Sequence, residues 1–507
     1  MFLLGPTGWR GLAPSNLVWD FKSHIGGVYQ PFSWLTYGVD YALWGLDARG
    51  YHVQSAVWHA LSAGLFFFLA RRVLGAAVPR RETEADWTLD ASALTAALVF
   101  GLHPLRVESV SWASERRDVV CGALFIASVL AYLRAREPGR APLGLRAPLL
   151  LFLSALLAKG MAVTLPAVLL ILDVWPLRRL GRRAVGGREV FGEKLPFFAF
   201  AAFFALVGTA VQHRLRWTWE QHGLAGRFAQ SAYSFAFYAA RTLWPAGLLP
   251  MYELRPPLNP FEPRFLAAAV VAVVAAWACV RVRRERPWAA AALAAYGVML
   301  APVCGLFQFG PQIVADRYSY LACLPLALVA GAVARWALPR RPVAAGAAAA
   351  AVLLALATAT VDQQACWSDS KALWTRVLAG DPDSGLARAG LGRVAVGEGR
   401  LEEAERSFRR ALAAFPGCAE DQDRLAAVLS GAAATPEQER RLRASVETRP
   451  LCRSARASLG AVLAQRGDLA GAERVLKIVT AVAPDHEGAR MNLARVEKLL
   501  RQGRQPR

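Results

Sequence analysis

The stretch HPLRVESVSWASERRDVV, residues 103–120, holds one His, three Arg, two Glu and one Asp. These groups act on anions and hydroxyls. A guanidinium holds an oxyanion through two parallel N–H donors, and a carboxylate within hydrogen-bond reach takes a proton from a hydroxyl. A structural reading of the same residues also stands. Glu115 to Asp118 suit a solvated helix start with Asp118 capping the next helix, and His103-Pro104 suits a helix end. The stretch is flanked by the apolar runs ASALTAALVFGL (91–102) and VVCGALFIASVLAYL (119–133), so any such chemistry would be done at the edge of an apolar layer.

The whole chain shares that character. It has 507 residues, 55% of them hydrophobic and 19% charged, with a mean hydropathy of +0.29. A soluble domain carries about 25% charged residues. Runs such as FLAAAVVAVVAAWACV (265–280) and PVAAGAAAAAVLLALATATV (342–361) approach or exceed the length of a membrane span. The net charge of +21 does not point to nucleic acid, because the basic residues cluster at the ends of apolar runs (ARRVL, LRRLGRR, VRVRRER). No cysteine pair has metal or redox spacing. Cys121, Cys279, Cys304 and Cys323 lie in apolar runs as packing residues, and Cys418 and Cys452 fall at equivalent repeat positions. No cleavable signal is visible at Met1. Heavy use of Ala, Arg and Gly points to a bacterial source.

Placing the arginine clusters in the cytoplasm gives about ten spans: 55–70, 91–102, 119–133, two within 147–179 around an external turn at Lys159, 195–212, 264–280, 287–306, 318–337 and 342–362. Residues 1–50 and the opening stretch then lie outside, and 227–249 is an interfacial helix. Lys159 is either a phosphate contact or a snorkelling lysine, and Asp173 is structural.

Beyond about 384 a period of 34 appears. Pro416, Pro450 and Pro484 follow it, as do Leu391, Leu425 and Leu459. That is the tetratricopeptide period. The expected units are 384–417, a degenerate 418–450, and 451–484, with a capping helix at 487–502 and a linker at 366–383. Such arrays bind peptides or proteins in a concave groove.

The blocks YQPFSWLTYGVDYALWGLDARGYH (29–52), FGLHPLRVESVSWASERRD (100–118), LLAKGMAVTLPAVLLILDVWPLRR (156–179) and ADRYSYL (315–321), followed by these repeats, resemble the transmembrane and tetratricopeptide-repeat O-mannosyltransferase family, with its bacterial relatives, in the C-type glycosyltransferase superfamily. The resemblance implies an all-α fold, a polytopic transmembrane domain over 51–365 followed by an α-solenoid. It also implies transfer of a sugar, mannose, from a polyprenyl-phosphate donor to Ser or Thr hydroxyls of exported proteins. The protein would sit in the inner membrane with its repeats outside, use no metal or cofactor, bind an acceptor protein through the repeats, and not bind nucleic acid.

The leaving group would be a lipid phosphate, with Arg106, Arg116, Arg117, Lys159 and Arg317 as candidates to hold it. Glu108, Asp118, Asp40 and Asp316 are the candidate catalytic carboxylates. Asp316-Arg317 is alternatively a structural ion pair. Family members begin with a further span and an acidic loop, so the resemblance also implies a start downstream of that loop and an inactive short form. A non-catalytic, membrane-anchored repeat scaffold is the second reading. A ligase or flippase for other lipid-linked glycans is the third.

Overall fold

A computed structural model describes residues 7–24, 27–77, 87–136, 144–180, 187–212, 223–255, 257–308, 310–414, short pieces within 436–446, 453–482 and 487–503. The chain divides into two compact units, between Trp367 and Ser368.

The first unit runs α1 (Pro14–Lys22), α2 (Pro31–Trp44), α3 (Ala48–Ala77), α4 (Trp87–Gly101), α5 (Val107–Ser111), α6 (Arg116–Ala135), α7 (Arg146–Ala158), α8 (Leu165–Val174), α9 (Gly187–Gln212), α10 (Leu224–Leu243), β1 (Tyr252–Glu253), α11 (Pro263–Val282), α12 (Pro287–Leu300), β2 (Gln312–Val314), α13 (Ser319–Ala322), α14 (Leu324–Ala337) and α15 (Pro342–Ala365). It is the all-α fold expected, with one antiparallel β1–β2 pair.

Every expected apolar run is helical over most of its length. Among the described residues α3, α6, α9, α11 and α15 are long and apolar enough to cross a membrane alone, and two bent pairs raise the number to seven. This is a multi-pass membrane protein. The other apolar helices, α7, α8 and α12, are shorter. One bent pair breaks by 52° between α4 and Pro104, where His103 Nδ1 accepts from the Leu105 N–H and Pro104 cannot continue a helix. The second breaks by 59° before α14.

Two charged clusters mark the ends of α6. Its 20 residues are about 30 Å long. At its start Lys159, the residue after α7, donates to Asp118 Oδ1 at 2.5 Å. Near its end the Tyr132 hydroxyl donates to Asp173, on α8, at 2.7 Å. Asp173 also pairs with Arg179 at 3.0 Å and Lys194 at 2.5 Å, and Arg179 and Arg136 both reach Glu193. The chain therefore rises along α7, turns at Lys159 and descends along α8. The second cluster ties α6, α8 and α9 together, the structural role expected of Asp173.

The stretch 227–249, expected to be an interfacial helix, is helical to Leu243 as part of α10. α10 turns its polar side into the protein: Arg227 Nη1 donates to the Leu306 carbonyl at 2.9 Å, Ser234 to Cys304 at 3.2 Å and Tyr238 to Ala315 at 3.0 Å. Satisfying these buried groups ties α10 to Cys304, Leu306 and Ala315. Cys121, Cys279, Cys304 and Cys323 are free thiols.

In the second unit, α16 (Ser370–Gly380) falls where a linker was expected. It packs on α17 (Gly385–Gly397), whose Gly390 lies against the Trp374 ring. α17 and α18 (Leu401–Ala414) form one hairpin, and the helices Arg453–Gln465 and Leu469–Val482 form another 68 positions on. The two repeat in detail. A Cβ on Gly392 would lie 3.0 Å from the Phe408 ring, and one on Gly460 would lie 2.5 Å from Leu476. Gly399 and Gly467 both turn with positive φ. Most of the expected unit 418–450, Cys418, Cys452 and the three periodic prolines lie outside the described residues.

Candidate active site

Three cations from distant parts of the chain face one cavity of about 780 Å³: Arg117 at the start of α6, Lys159 after α7, and Arg317 before α13. Each is 10–20% exposed, and each is backed by a carboxylate only 2% exposed. Glu115 is the hub. It accepts from Arg117 Nε at 2.9 Å and from Lys159 Nζ at 3.3 Å, and Arg317 Nε approaches it at 3.8 Å. Asp118 holds Lys159 and also accepts from Ser109 Oγ at 3.2 Å. Glu108 pairs with the Arg317 guanidinium and accepts its backbone N–H at 2.7 Å.

The local sequence explains the placement. The chain breaks at Trp112, and a 3₁₀ turn, Ala113–Glu115, hands over to α6. Consecutive residues at a helix start lie about 100° apart around the axis. Arg116 and Arg117 therefore face different ways, one into the protein and one to the cavity.

The rest of the cavity wall has two characters. Gln30, Gln230, Gln308, Gln312 and Tyr318 supply neutral polar groups. Phe204, Ala205 and Val207 of α9, with Val298, Ala301, Pro302 and Val303 at the end of α12, supply an apolar face. Among the described residues no Asp or Glu lines the cavity. The arrangement can hold an anion at the cationic wall and a hydrocarbon at the apolar one.

Of the expected phosphate ligands, Arg117, Lys159 and Arg317 thus meet, and Arg106 and Arg116 do not. Arg116 is fully buried in an ion pair with Asp40. It donates to the Tyr51 carbonyl at 2.6 Å and to Ser55 at 3.3 Å, with its guanidinium 4.8 Å from the Tyr37 ring centroid. Arg106 is buried between Phe100 and Tyr320, 5.4 and 5.7 Å from their centroids.

The expected catalytic carboxylates are likewise off the wall. Asp40 pins Arg116, while Glu108 and Asp118 stand behind the cations. Asp316 accepts from the Tyr252 hydroxyl at 3.0 Å, tying its segment to β1; its expected pair with Arg317 is replaced by the Glu108 pair. The reason is desolvation: a buried charge is kept only beside a partner, so Asp40, Asp118 and Glu108 became cation holders and Asp316 took a hydroxyl donor.

Sequence reasoning missed Glu115, read as part of a solvated helix start, and the glutamines, whose neutral amides give no charge signal. Gln30 lies inside the block YQPFSWL, directly before Pro31 at the first turn of α2; a polar residue at that junction was the available cue. Asp20 was also missed. It is fully buried on α1 with neither oxygen hydrogen-bonded, and burial pushes its carboxyl up to about 7.

No family model matches the chain. Part of it is similar to curated proteins. A 134-residue stretch is 30% identical to Protein O-mannosyl-transferase tmtc2 of Xenopus laevis, covering 26% of this chain and 14% of that protein. A 168-residue stretch is 30% identical to Protein O-mannosyl-transferase Tmtc1 of Drosophila melanogaster, covering 31% and 17%. A third, of 149 residues, is 26% identical to Protein O-mannosyl-transferase TMTC3 of Mus musculus, covering 29% and 15%. These matches span 14–17% of the relatives' own lengths.

Proposed function

We propose that this protein is a membrane glycosyltransferase. It takes a sugar, mannose, from a polyprenyl-phosphate donor and passes it to Ser or Thr hydroxyls of exported proteins. The observation that carries the reading is the cavity: three carboxylate-backed cations on one wall and an apolar face on another, a match for a phosphate on a hydrocarbon chain. The names of the distant relatives support the sugar-transfer chemistry.

In this reading the acceptor oxygen forms a bond to the anomeric carbon as the bond from that carbon to the phosphate oxygen breaks. The products are the glycoside, polyprenyl phosphate and a proton. Negative charge grows on the leaving phosphate, where Arg117, Lys159 and Arg317 stabilise it. Glu115, Glu108 and Asp118 are positioning residues that hold those cations in place. The repeat unit recruits the acceptor, and the protein works in the inner membrane with its repeats on the periplasmic side.

Transfer of labelled mannose from polyprenyl phosphate mannose to Ser/Thr peptides, using full chain in lipid nanodiscs, tests the reading. Transfer that falls on Lys159→Ala supports it. Peptide capture by the repeats with no transfer would instead favour a scaffold.

A further inference from the structure

Two uncharged donors flank the cationic wall, and each is locked to one of its cations. Gln30 directly precedes α2 and is 1% exposed. Its Oε1 accepts from Arg117 Nη1 at 3.3 Å. That contact fixes which end of the amide is which. The Nε2 group is left as a buried donor with no hydrogen-bond partner in a residue that lines the cavity. Such an orphan costs free energy unless something accepts from it.

Tyr318 stands beside the other guanidinium, with Arg317 4.9 Å from its ring centroid. Its oxygen accepts from Gln312 Nε2 at 2.6 Å. A phenol that accepts there keeps its own proton to donate elsewhere, and Tyr318 also lines the cavity. Gln312 is itself held in a network: Gln308 Nε2 donates to the Gln312 carbonyl at 2.8 Å, and Gln230 Nε2 donates to Gln308 Oε1 at 2.8 Å. Both donors are therefore pre-set before a ligand arrives.

We propose that Gln30 and Tyr318 read the hydroxyls of an uncharged sugar joined to the phosphate that Arg117, Lys159 and Arg317 hold. This rests on the lipid-phosphate reading above and adds the residues that recognise the sugar. Neutral amide and phenol donors suit sugar hydroxyl oxygens, and both stand next to cations of the phosphate wall.

The test is equilibrium binding of two probes, polyprenyl phosphate and polyprenyl phosphate mannose, to purified full chain. Gln30→Met keeps the side chain's length and removes its donors together with the Oε1 that accepts from Arg117, and Tyr318→Phe removes only the hydroxyl. Each is expected to weaken the mannosyl lipid about tenfold more than the bare lipid. Unchanged mannosyl-lipid binding in both variants overturns the proposal while the phosphate site stands. Equal weakening of both lipids also overturns it, because these residues would then only hold Arg117 and Arg317 in place. A wild-type chain that binds neither lipid removes the phosphate reading and this proposal with it.

Discussion

Arg317 holds Glu108, 209 positions earlier, by two groups at once: its backbone N–H donates to Oε2 at 2.7 Å and its guanidinium pairs with Oε1. The contact joins the break after α4 to the segment before α13. Glu108→Ala leaves a buried guanidinium without its main partner and should cost about 3–5 kcal/mol. Glu108→Gln retains an acceptor for the N–H and should cost less. Thermal unfolding of the two purified variants checks the order; equal, small losses would contradict it.

Arg116 and Arg117 are adjacent and should fail differently. Arg116→Ala strips the buried Asp40 of its partner, so it should lower stability by about 3–5 kcal/mol and reduce the yield of folded protein. Arg117→Ala should leave a folded protein that binds the donor about ten- to a hundredfold less well, from a lost charged contact of about 1.5–3 kcal/mol. Unfolding curves and donor titrations on both variants separate the two effects. A folded, stable Arg116→Ala protein with a selective donor defect would reverse the assignment.

Asp20 sets a pH dependence. Its folded-state pKa of about 7 lies above the unfolded value of about 3.9, so the folded state binds the proton more tightly. Between those two values the folded chain carries more protons than the unfolded one, and stability falls as pH rises from about 4 to about 7, then levels off. Asp20→Asn should remove this slope and raise the melting temperature most above pH 7. No gain at pH 8 in the variant would contradict it.

The second unit should fold alone from Ser368, and it needs α16. Residues 368–507 should be soluble and helical. Trimming to 381–507 uncovers the face of α17 that Trp374 covers and should lower the melting temperature. Gly460→Val, which forces atoms into Leu476, should cost about 1–3 kcal/mol. Circular dichroism melts of the three proteins decide.

Much of this architecture was legible in the sequence, because apolar length and a 34-residue period survive any tertiary arrangement. The helices α3, α9, α11 and α15 and the repeat hairpins are of that kind. Three of the five expected cations also met at the site. Arg106 and Arg116 could not be told from Arg117, because which side of a helix start faces a cavity depends on distant segments such as Asp40 and Tyr51. The same limit hid Glu115, whose partners Lys159 and Arg317 come from 44 and 202 positions away. The glutamines were silent for another reason: Gln230, Gln308 and Gln312 find each other only once α10 packs on the 304–315 loop.

The central claim is that Arg117, Lys159 and Arg317 together hold a lipid-linked phosphate. The most direct measurement is the dissociation constant of polyprenyl phosphate for the full chain in nanodiscs, wild type against Lys159→Met, with folding confirmed by the melting temperature. The account predicts that wild type binds and that the variant binds about ten- to a hundredfold more weakly, with wild-type affinity falling as salt rises. Equal binding by a folded variant, or no binding by wild type, would contradict it.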